Sequence, residues 1–250
     1  MKKFLIIRFS SIGDIILTTP VLRCLKQQLP EVEIHFLTKK QYLPVLEANP
    51  NIDKLYSIQE KIDEVIHELK RENYDHIIDL HKNFRSKGIL IKLRKPSSTF
   101  SKINVQKWLI VNLKINWLPQ VHIVDRCFSA VESFGVKNDQ KGLDYFISAK
   151  DEVDIKILPP AHQSGYIGWV IGAKFNTKAY PDDRIAEACK KMEQPIVLLG
   201  GPEDAEKGER IKKEVGDRIY NACGKFNLNQ SASLVRQAEK IITNDTGLMH

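Results

Sequence analysis

Cysteine is scarce in this sequence, and its scarcity excludes two classes of protein. Four cysteines are spread over 250 residues, and no two of them form a C-x-x-C pair. Disulfide-framed secreted domains and zinc-binding modules both need closely spaced cysteines. We therefore predict four free thiols and a reducing cytoplasm as the compartment.

Long apolar runs are also missing. No stretch approaches the ~20 consecutive apolar residues that span a bilayer. The apolar run that follows the first lysines is too short for a signal peptide and has no small-residue cleavage site. We expect neither a spanning helix nor a secretory leader.

Several ligand fingerprints are absent as well. The seven histidines show neither H-x-x-x-H nor H-E-x-x-H spacing, and the chain contains no G-x-x-x-x-G-K-[ST] and no G-x-G-x-x-G. We therefore expect no metal, no cofactor, and neither a P-loop nor a dinucleotide fingerprint.

Acidic residues are few in one segment. Residues 81–126 hold ten lysines and arginines and one acid, Asp125, while residues 151–250 are close to neutral. A field of one sign attracts anionic partners such as phosphorylated metabolites, nucleic acid or an anionic lipid surface. The alternative is a solvated basic face. The overall composition, 42% apolar and 28% charged, is that of an ordinary globular protein and excludes disorder.

What the sequence does contain is an alternation of apolar β-rich runs and amphipathic segments. The predicted strands cover 4–9, 33–37, 76–81, 166–172, 195–201 and 240–245. The predicted helices cover 15–29, with Pro20 as its start or a kink, 59–73, 181–193, 203–215 and 229–238. This order is typical of parallel sheets covered by helices on both faces.

The polar stretch 137–165, which contains Pro159 and Pro160, is the best boundary. We predict two α/β domains, residues 1–158 and 159–250. The second domain is expected to be incomplete at its C-terminus, because no helix follows its last strand. Segment 105–118 predicts a helix, which is buried by default or lies in a lipid interface as the alternative.

The loop after the first strand is the first place where chemistry is expected. Ser10 and Ser11 offer hydroxyls, Gly13 allows a close backbone approach, and Asp14 follows. Ligands bind at the carboxyl ends of strands in open α/β sheets. The local pattern by itself favours a plainer role for Asp14, that of a helix cap.

Three further loops follow strands in the second half. Lys174, Thr177 and Lys178 suit phosphate binding, although two exposed lysines on a polar loop are the simpler interpretation. Gly200 and Gly201 fit an ordinary strand–turn–helix, or a backbone that approaches a nucleotide.

The third of these loops carries Asp245, Thr246 and Gly247, which open a presumed helix. The unpaired N–H groups of such a helix attract an anion. The alternative is a simple N-cap.

Taken together and in this order, the motifs resemble the ADP-heptose:lipopolysaccharide heptosyltransferases of glycosyltransferase family nine. The resembling stretches are R-F-S-S-I-G-D-I-I-L-T-T-P at 8–20, D-L-H-K-N-F-R-S at 79–86, G-A-K-F-N-T-K-A-Y-P at 172–181, L-G-G-P-E-D at 199–204 and N-D-T-G-L-M-H at 244–250. The resemblance covers essentially the whole chain. Tyr180 stands where many relatives have Trp.

The resemblance implies a GT-B fold, in which two Rossmann-like domains face a cleft and bind acceptor and nucleotide-sugar, respectively. It implies that Asp14 is the catalytic base of an inverting, metal-independent transfer from an ADP-sugar to an anionic lipopolysaccharide core. The implied donor-binding residues are Lys174, Thr177, Lys178, Gly200, Gly201, Asp245, Thr246 and Gly247. The implied acceptor-binding residues are Ser10, Ser11, Gly13, His81, Arg85 and Lys87.

The expected location is the cytoplasm, with a peripheral contact on the cytoplasmic face of the inner membrane. Two alternatives remain at this point. One is a same-fold transferase for another sugar nucleotide, and the other is a non-catalytic protein that binds anions or nucleic acid. No nucleic-acid motif supports the latter, and no nucleic-acid partner is expected.

Overall fold

The structure is a computed structural model that describes residues 2–100, 104–115, 121–173, 178–244 and 249, with the backbone alone for 104–107. The chain divides into two compact units, Met1–Phe146 and Ile147–His250. Each unit contains a parallel sheet with helices, which confirms the predicted α/β class.

The first unit is built on a five-stranded sheet. Its strands are β1 (Lys2–Ile7), β2 (Val32–Lys39), β3 (Lys54–Ile58), β4 (His76–Asp79) and β5 (Ser97–Thr99). Its helices are α1 (Ile12–Ile16), α2 (Thr19–Gln28), α3 (Ile66–Arg71), α4 (Phe84–Leu93), α5 (Asn104–Leu113) and α6 (Ile123–Phe128). The strand order is β3-β2-β1-β4-β5, all parallel. Residues 4–7 of β1 are fully buried, as expected of a central parallel strand covered on both faces.

The second unit repeats the arrangement with four strands. They are β6 (Ile167–Val170), β7 (Ile196–Leu199), β8 (Ile219–Asn221) and β9 (Lys240–Thr243), with helices α7 (Asp182–Lys190), α8 (Ala205–Val215) and α9 (Leu228–Gln237). The order is β8-β7-β6-β9, again all parallel. Apolar side chains of β6, β7 and β8 pack against α7 and α8 on one face of this sheet.

Both sheets have a topological switch point. In the first sheet the chain moves outward from β1 through β2 and β3, then returns to place β4 on the other side of β1. In the second sheet β6 leads to β7 and β8 on one side and β9 lies on the other. The connections after the two strands of such a pair diverge, which leaves a crevice at their carboxyl ends. The loops after β1 and β4, and those after β6 and β9, therefore flank the expected ligand positions.

The structure differs from the sequence predictions in several places. The predicted helix 15–29 is two helices, because Pro20 has no N–H to donate and sits in the first turn of α2. Helix 59–73 is a 3-10 turn, Ile62–Glu64, followed by the shorter α3. The strands β3, β5 and β8 were not predicted, since they have only three to five residues and no long apolar run.

The division between the units also lies twelve residues before the predicted boundary at 158/159. Segment 147–158 packs with the second unit, because Val153 N donates to Ser233 Oγ at 3.0 Å and Leu158 joins an apolar cluster with Leu234. Proline and polar composition marked this segment as loop, but composition does not show which unit the loop packs on.

The default interpretation of 105–118 as a buried helix is wrong for the part that the structure describes. Trp108 is 57% exposed, and Val111 and Leu113 are also exposed. Aliphatic composition predicts a helix, but it does not show whether another element packs against that helix and buries its side chains. No helix within the described ranges is long and apolar enough to cross a bilayer.

All four cysteines are free, as predicted, and the structure buries each of them. Burial raises the pKa of Cys127 and of Cys189 to about 11, and that of Cys223 to about 12. Thiols of this kind behave as small apolar side chains and not as nucleophiles.

Candidate active site

Asp14 lies at the switch point of the first sheet, in the first turn of α1. Its Oδ2 accepts hydrogen bonds from the backbone N–H of Ser11 at 3.0 Å and from Ser11 Oγ at 2.9 Å. The N-cap residue of α1 is Ser11, and Asp14 supports this cap from the third helical position. Its side chain is nevertheless 43% exposed, so the same carboxylate can reach a ligand.

Arg8, the residue after β1, holds the other oxygen of this carboxylate. Its Nη2 lies 2.7 Å from Asp14 Oδ1. Its Nε donates to the carbonyl of Ser10 at 2.9 Å, and its Nη1 donates to the carbonyl of Leu80 at 2.5 Å. Arg8 therefore joins the loop after β1 to the loop after β4.

The pKa of Asp14 is set by opposing effects. Burial raises it, but the hydrogen bond from the Ser11 amide and the positive charge of Arg8 lower it by more. The pKa of Asp14 consequently lies below its usual value, and the group is a carboxylate at neutral pH.

The loop after β4 is organised by a buried carboxylate. Asp79 Oδ1 accepts from the backbone N–H groups of His81 and Lys82 at 2.9 and 2.8 Å, and Oδ2 accepts from Ser86 Oγ at 2.7 Å. Asn83 then caps α4 by accepting from Ser86 N at 2.8 Å. These bonds fix where His81 and the first turn of α4 stand.

Phe9 brings two predicted acceptor residues beside the first loop. Its ring is buried, with the His81 ring edge-on at 5.1 Å between centroids and the Arg85 guanidinium 5.9 Å from its centre. Because Phe9 precedes Ser10, the structure gathers His81 and Arg85 next to Ser10, Ser11, Gly13 and Asp14. Gly13 is buried within α1.

Lys87 does not share that position. It lies two residues beyond Arg85, which is about 200° around a helix. Its side chain is exposed, and its Nζ is 6.0 Å from the centre of the Phe84 ring.

In the second unit the predicted Gly200 and Gly201 surround a carboxylate that the sequence analysis did not single out. Asp204 Oδ2 accepts from Gly201 N at 2.9 Å. A Cβ built on Gly172 or on Gly200 would lie 2.2 or 2.7 Å from the same oxygen, so a side chain at either position would displace this carboxylate. Burial raises the pKa of Asp204, and the charge of Glu203 adds to the rise, which exceeds the lowering by the Gly201 amide.

Lys178 is exposed between β6 and α7, in the loop at the switch point of the second sheet. The other predicted donor residues, Lys174, Thr177, Asp245, Thr246 and Gly247, lie outside the described residues.

One group of side chains in the described residues has the spacing of metal ligands. Glu33, His35 and Glu72 offer ligand atoms within 4.8 Å of one another. Glu72 already accepts from Lys3 Nζ at 2.7 Å and from Lys54 Nζ at 2.6 Å. Because the cluster lies where β1, β2 and β3 begin, it is at the edge of the sheet opposite to Asp14. We interpret it as a structural ion-pair network.

Arg8, Asp79 and Asp204 are the site residues that the sequence analysis missed. Each stood inside a quoted motif without a role. For Arg8 a signal was available, because a cation directly after a buried strand must turn toward a carboxylate or carbonyl groups at the sheet edge.

Residues 62–250 match the sequence profile of Glycosyltransferase family 9 (heptosyltransferase). Lipopolysaccharide heptosyltransferase 1 of Campylobacter coli is 27% identical over 99% of this chain and 80% of its own length. The crystal structure of the glycosyl transferase family 9 from Veillonella parvula superimposes with a TM-score of 0.81 at 25% identity, over 100% of this chain and 76% of that one. The E. coli ADP-heptose LPS heptosyltransferase II structure gives a TM-score of 0.78 at 21% identity, over 100% and 81%.

The fold and the site define a glycosyltransferase of the GT-B class. The chain belongs to glycosyltransferase family 9, the heptosyltransferase family. The family resemblance of the motifs is thereby confirmed, and the alternative of a non-catalytic anion-binding or nucleic-acid-binding protein is not favoured.

Proposed function

We propose that this protein transfers a heptose from ADP-heptose to the anionic inner core of lipopolysaccharide, either Kdo–lipid A or an inner heptose. Family membership and the name of the Campylobacter relative support the choice of sugar and acceptor. The observation that carries the mechanism is the Asp14 carboxylate, ordered from two sides and still 43% exposed at the switch point of the first sheet.

The carboxylate of Asp14 has room for one more donor. A carboxylate offers about four lone-pair positions. Within the described residues, Ser11 takes two positions on Oδ2 and Arg8 takes one on Oδ1. The remaining position on Oδ1 is where an acceptor hydroxyl would donate.

Asp14 is then the general base of an inverting displacement. The acceptor oxygen forms a bond to the anomeric carbon as the bond from that carbon to the diphosphate breaks, and the hydroxyl proton passes to Asp14. Such assistance contributes roughly 10²–10⁴-fold. A carboxylate with a lowered pKa is a weak base, so it takes the proton late, when the attacking oxygen has become acidic.

The acceptor would lie against the first unit. Ser10, Ser11, Gly13, His81 and Arg85 surround the same loop pair, and a half-buried guanidinium suits a sugar acid or a phosphate. Lys87, on the outer face of α4, would contribute to the field that attracts the acceptor and not to the pocket itself.

The donor would lie against the second unit, at the loops after β6, β7 and β9. We assign the diphosphate to Lys178, Lys174 and Thr177 and to Asp245, Thr246 and Gly247. The nucleoside is assigned to the Gly200–Gly201 turn. Cations and N–H groups fixed in advance stabilise the charge that develops on the leaving group, and the proposal includes no metal.

We expect the protein to act in the cytoplasm, with a peripheral contact on the inner membrane. An acceptor anchored in lipid lies in that membrane, so the protein would bind it at the membrane surface. The excess of positive charge in 81–126 supports attraction to it.

The direct test is transfer from ADP-heptose to a deacylated lipopolysaccharide core, followed by mass spectrometry of the product. A panel of nucleotide-sugars should be compared in parallel by the shift that each causes in Tm, since a ligand that binds the folded state stabilises it. Product formation with another sugar nucleotide, and none with ADP-heptose, would overturn the choice of donor.

Lys178→Ala tests the donor assignment. Loss of a charge-assisted contact to phosphate should weaken ADP binding by about tenfold, as measured by titration calorimetry. Lys191→Ala, which removes an exposed lysine from the end of α7, is the matched control. Equal ADP affinity in both variants would make Lys178 an ordinary surface lysine.

A further inference from the structure

The outward face of α4 carries large apolar side chains in solvent. Phe84 is 93% exposed and Ile91 is 73% exposed. Seven residues make about two helical turns, so both side chains leave the same face. The opposite face is buried through Ser86, Ile89 and Leu93.

A second helix of the same unit repeats this pattern. On α5, Val111 is 66% exposed, and it lies three residues from the exposed Trp108. Leu113 and Ile115 are exposed at the end of the helix. Exposed apolar groups of this size, on two helices close in sequence, indicate an interaction surface.

Along this stretch of chain the charge is of one sign, although Asp63, from an earlier segment, pairs with Lys92 of α4. No acidic residue occurs between Asp79 and Asp125, while Lys87 stands beside Phe84 on the outward face. Lysine beside an aromatic ring can bury its methylene stem and keep its ammonium group at a polar boundary. Apolar groups combined with an excess of cations fit a lipid surface, which is apolar beneath a layer of negatively charged head groups.

We propose that the outward face of α4, with the exposed face of α5, docks this protein on an anionic lipid bilayer. Phe84, Ile91 and Trp108 enter the boundary between head groups and acyl chains, while Lys87 and its neighbours meet the phosphates. The inference deepens the proposed function and rests on it, since a lipid-anchored acceptor is met at that surface.

The sequence neighbours Phe84 and Arg85 explain why docking would serve the reaction. Phe84 points into solvent, whereas Arg85 packs on Phe9 next to the Asp14 loop. A bilayer contact at Phe84 would therefore bring Arg85, the next residue and a predicted acceptor residue, close to the head groups.

Two other occupants fit less well. Nucleic acid would use the cations but would leave Phe84 and Ile91 without a partner. A second copy of the chain, joined by a two-fold axis, would place this basic face against itself, and like charges repel. The bilayer is the partner that uses both the charge and the apolar groups.

The experiment is co-sedimentation of the full chain with vesicles. Phosphatidylethanolamine–phosphatidylglycerol vesicles are compared with phosphatidylcholine vesicles, at physiological ionic strength and at 1 M salt, where the Debye length is ~8 Å and ~3 Å. The variants are Phe84→Ala with Ile91→Ala, and Lys87→Glu. The controls are Ile157→Ala, another exposed isoleucine, and Lys70→Glu, another exposed lysine.

The wild type should bind the anionic vesicles and bind less at high salt. The double variant loses two apolar side chains that the bilayer would bury, so its vesicle binding should be about 100-fold weaker. Lys87→Glu should weaken vesicle binding by about fivefold or more. Both controls should bind as the wild type does. Circular dichroism and the Tm verify that each variant is folded.

Unchanged vesicle binding by the Phe84 and Ile91 variant would overturn the proposal, as would a wild type that binds neither vesicle. A dimer that this variant dissociates, without vesicle binding, would make the face an interface between copies. Binding of nucleic acid that exceeds binding of vesicles would also overturn it.

Transfer to the deacylated core is assayed on the same wild-type preparation. Vesicle binding without transfer counts against the proposed function alone, and transfer without vesicle binding counts against docking alone.

Discussion

Asp14 in the first unit and Asp204 in the second occupy equivalent positions in their local structures. Each is the third residue of the first turn after a strand, and each accepts a hydrogen bond from the backbone N–H at the start of that turn. The donor is Ser11 at 3.0 Å in one case and Gly201 at 2.9 Å in the other. The two carboxylates therefore hold equivalent positions at the start of their turns.

Their acidities nevertheless shift in opposite directions. Burial raises the pKa of both carboxyl groups. At Asp14 the amide of Ser11 and the charge of Arg8 reverse this effect, whereas at Asp204 the neighbouring Glu203 adds to it. A capping position therefore does not determine the protonation state of its carboxylate. The hydrogen bonds and charges around each carboxylate set the direction of its pKa shift.

Of the variants that test this comparison, Asp14→Asn is expected to have the largest effect on activity. The amide keeps an oxygen for the Ser11 N–H but cannot take a proton, so kcat should fall by roughly 10²–10⁴-fold. ADP affinity should not change, and the Tm should drop only slightly. Asp154→Asn, an exposed capping aspartate of the second unit, is the control for the loss of a cap. An activity within a few-fold of wild type would leave Asp14 as a cap only.

Arg8→Ala should make Asp14 resemble Asp204. Without the guanidinium, one of the effects that lower the pKa of Asp14 is lost and this pKa rises, so the acid limb of the kcat/KM profile should move to higher pH. Since the link to Leu80 is lost as well, kcat/KM at neutral pH should fall by about ten- to a hundredfold.

The pH profile separates positioning of Asp14 from a merely structural role for Arg8. Arg8→Lys keeps the charge, so its acid limb should stay closer to that of the wild type. Equal acid limbs in wild type and Arg8→Ala would contradict the assigned role.

Asp204→Asn should have the smallest effect, and its sign should be opposite to that of Asp14→Asn. An acid with a raised folded-state pKa binds more protons when folded, so its contribution to stability falls as pH rises through that pKa. The amide removes this loss, and the free energy of unfolding at neutral pH should rise by about 0.5 kcal/mol or less.

Asp14, whose pKa is lowered, contributes stability above its unfolded-state pKa and loses it as pH falls. Its amide should therefore destabilise at neutral pH and have no effect in strong acid. Urea unfolding of both variants at neutral pH and near pH 3 measures the two slopes. Parallel pH dependences would show that the two carboxyl groups do not differ.

Much of the fold follows from local pattern. The β1 run FLII is β-rich and apolar on both faces, which favours a central parallel strand, and the helix after Asn227 carries its own cap. Short strands such as β5 escaped prediction, because three residues hold too little periodicity. The division between the units escaped it too, since the contact of Val153 with Ser233 spans 80 residues of sequence.

By itself the sequence determined the α/β class, the free thiols and the family, because strand periodicity, cysteine spacing and motif order are properties of the chain itself. Only the tertiary structure decided that Arg8 holds Asp14 and ties it to the loop after β4, that Phe9 gathers His81 and Arg85, and that Lys87 faces away with Phe84. These outcomes depend on which strand lies beside β1 and which side of α4 is buried. Burial and charge act between residues that are distant in sequence and close in space, so these contacts cannot be predicted from local sequence patterns.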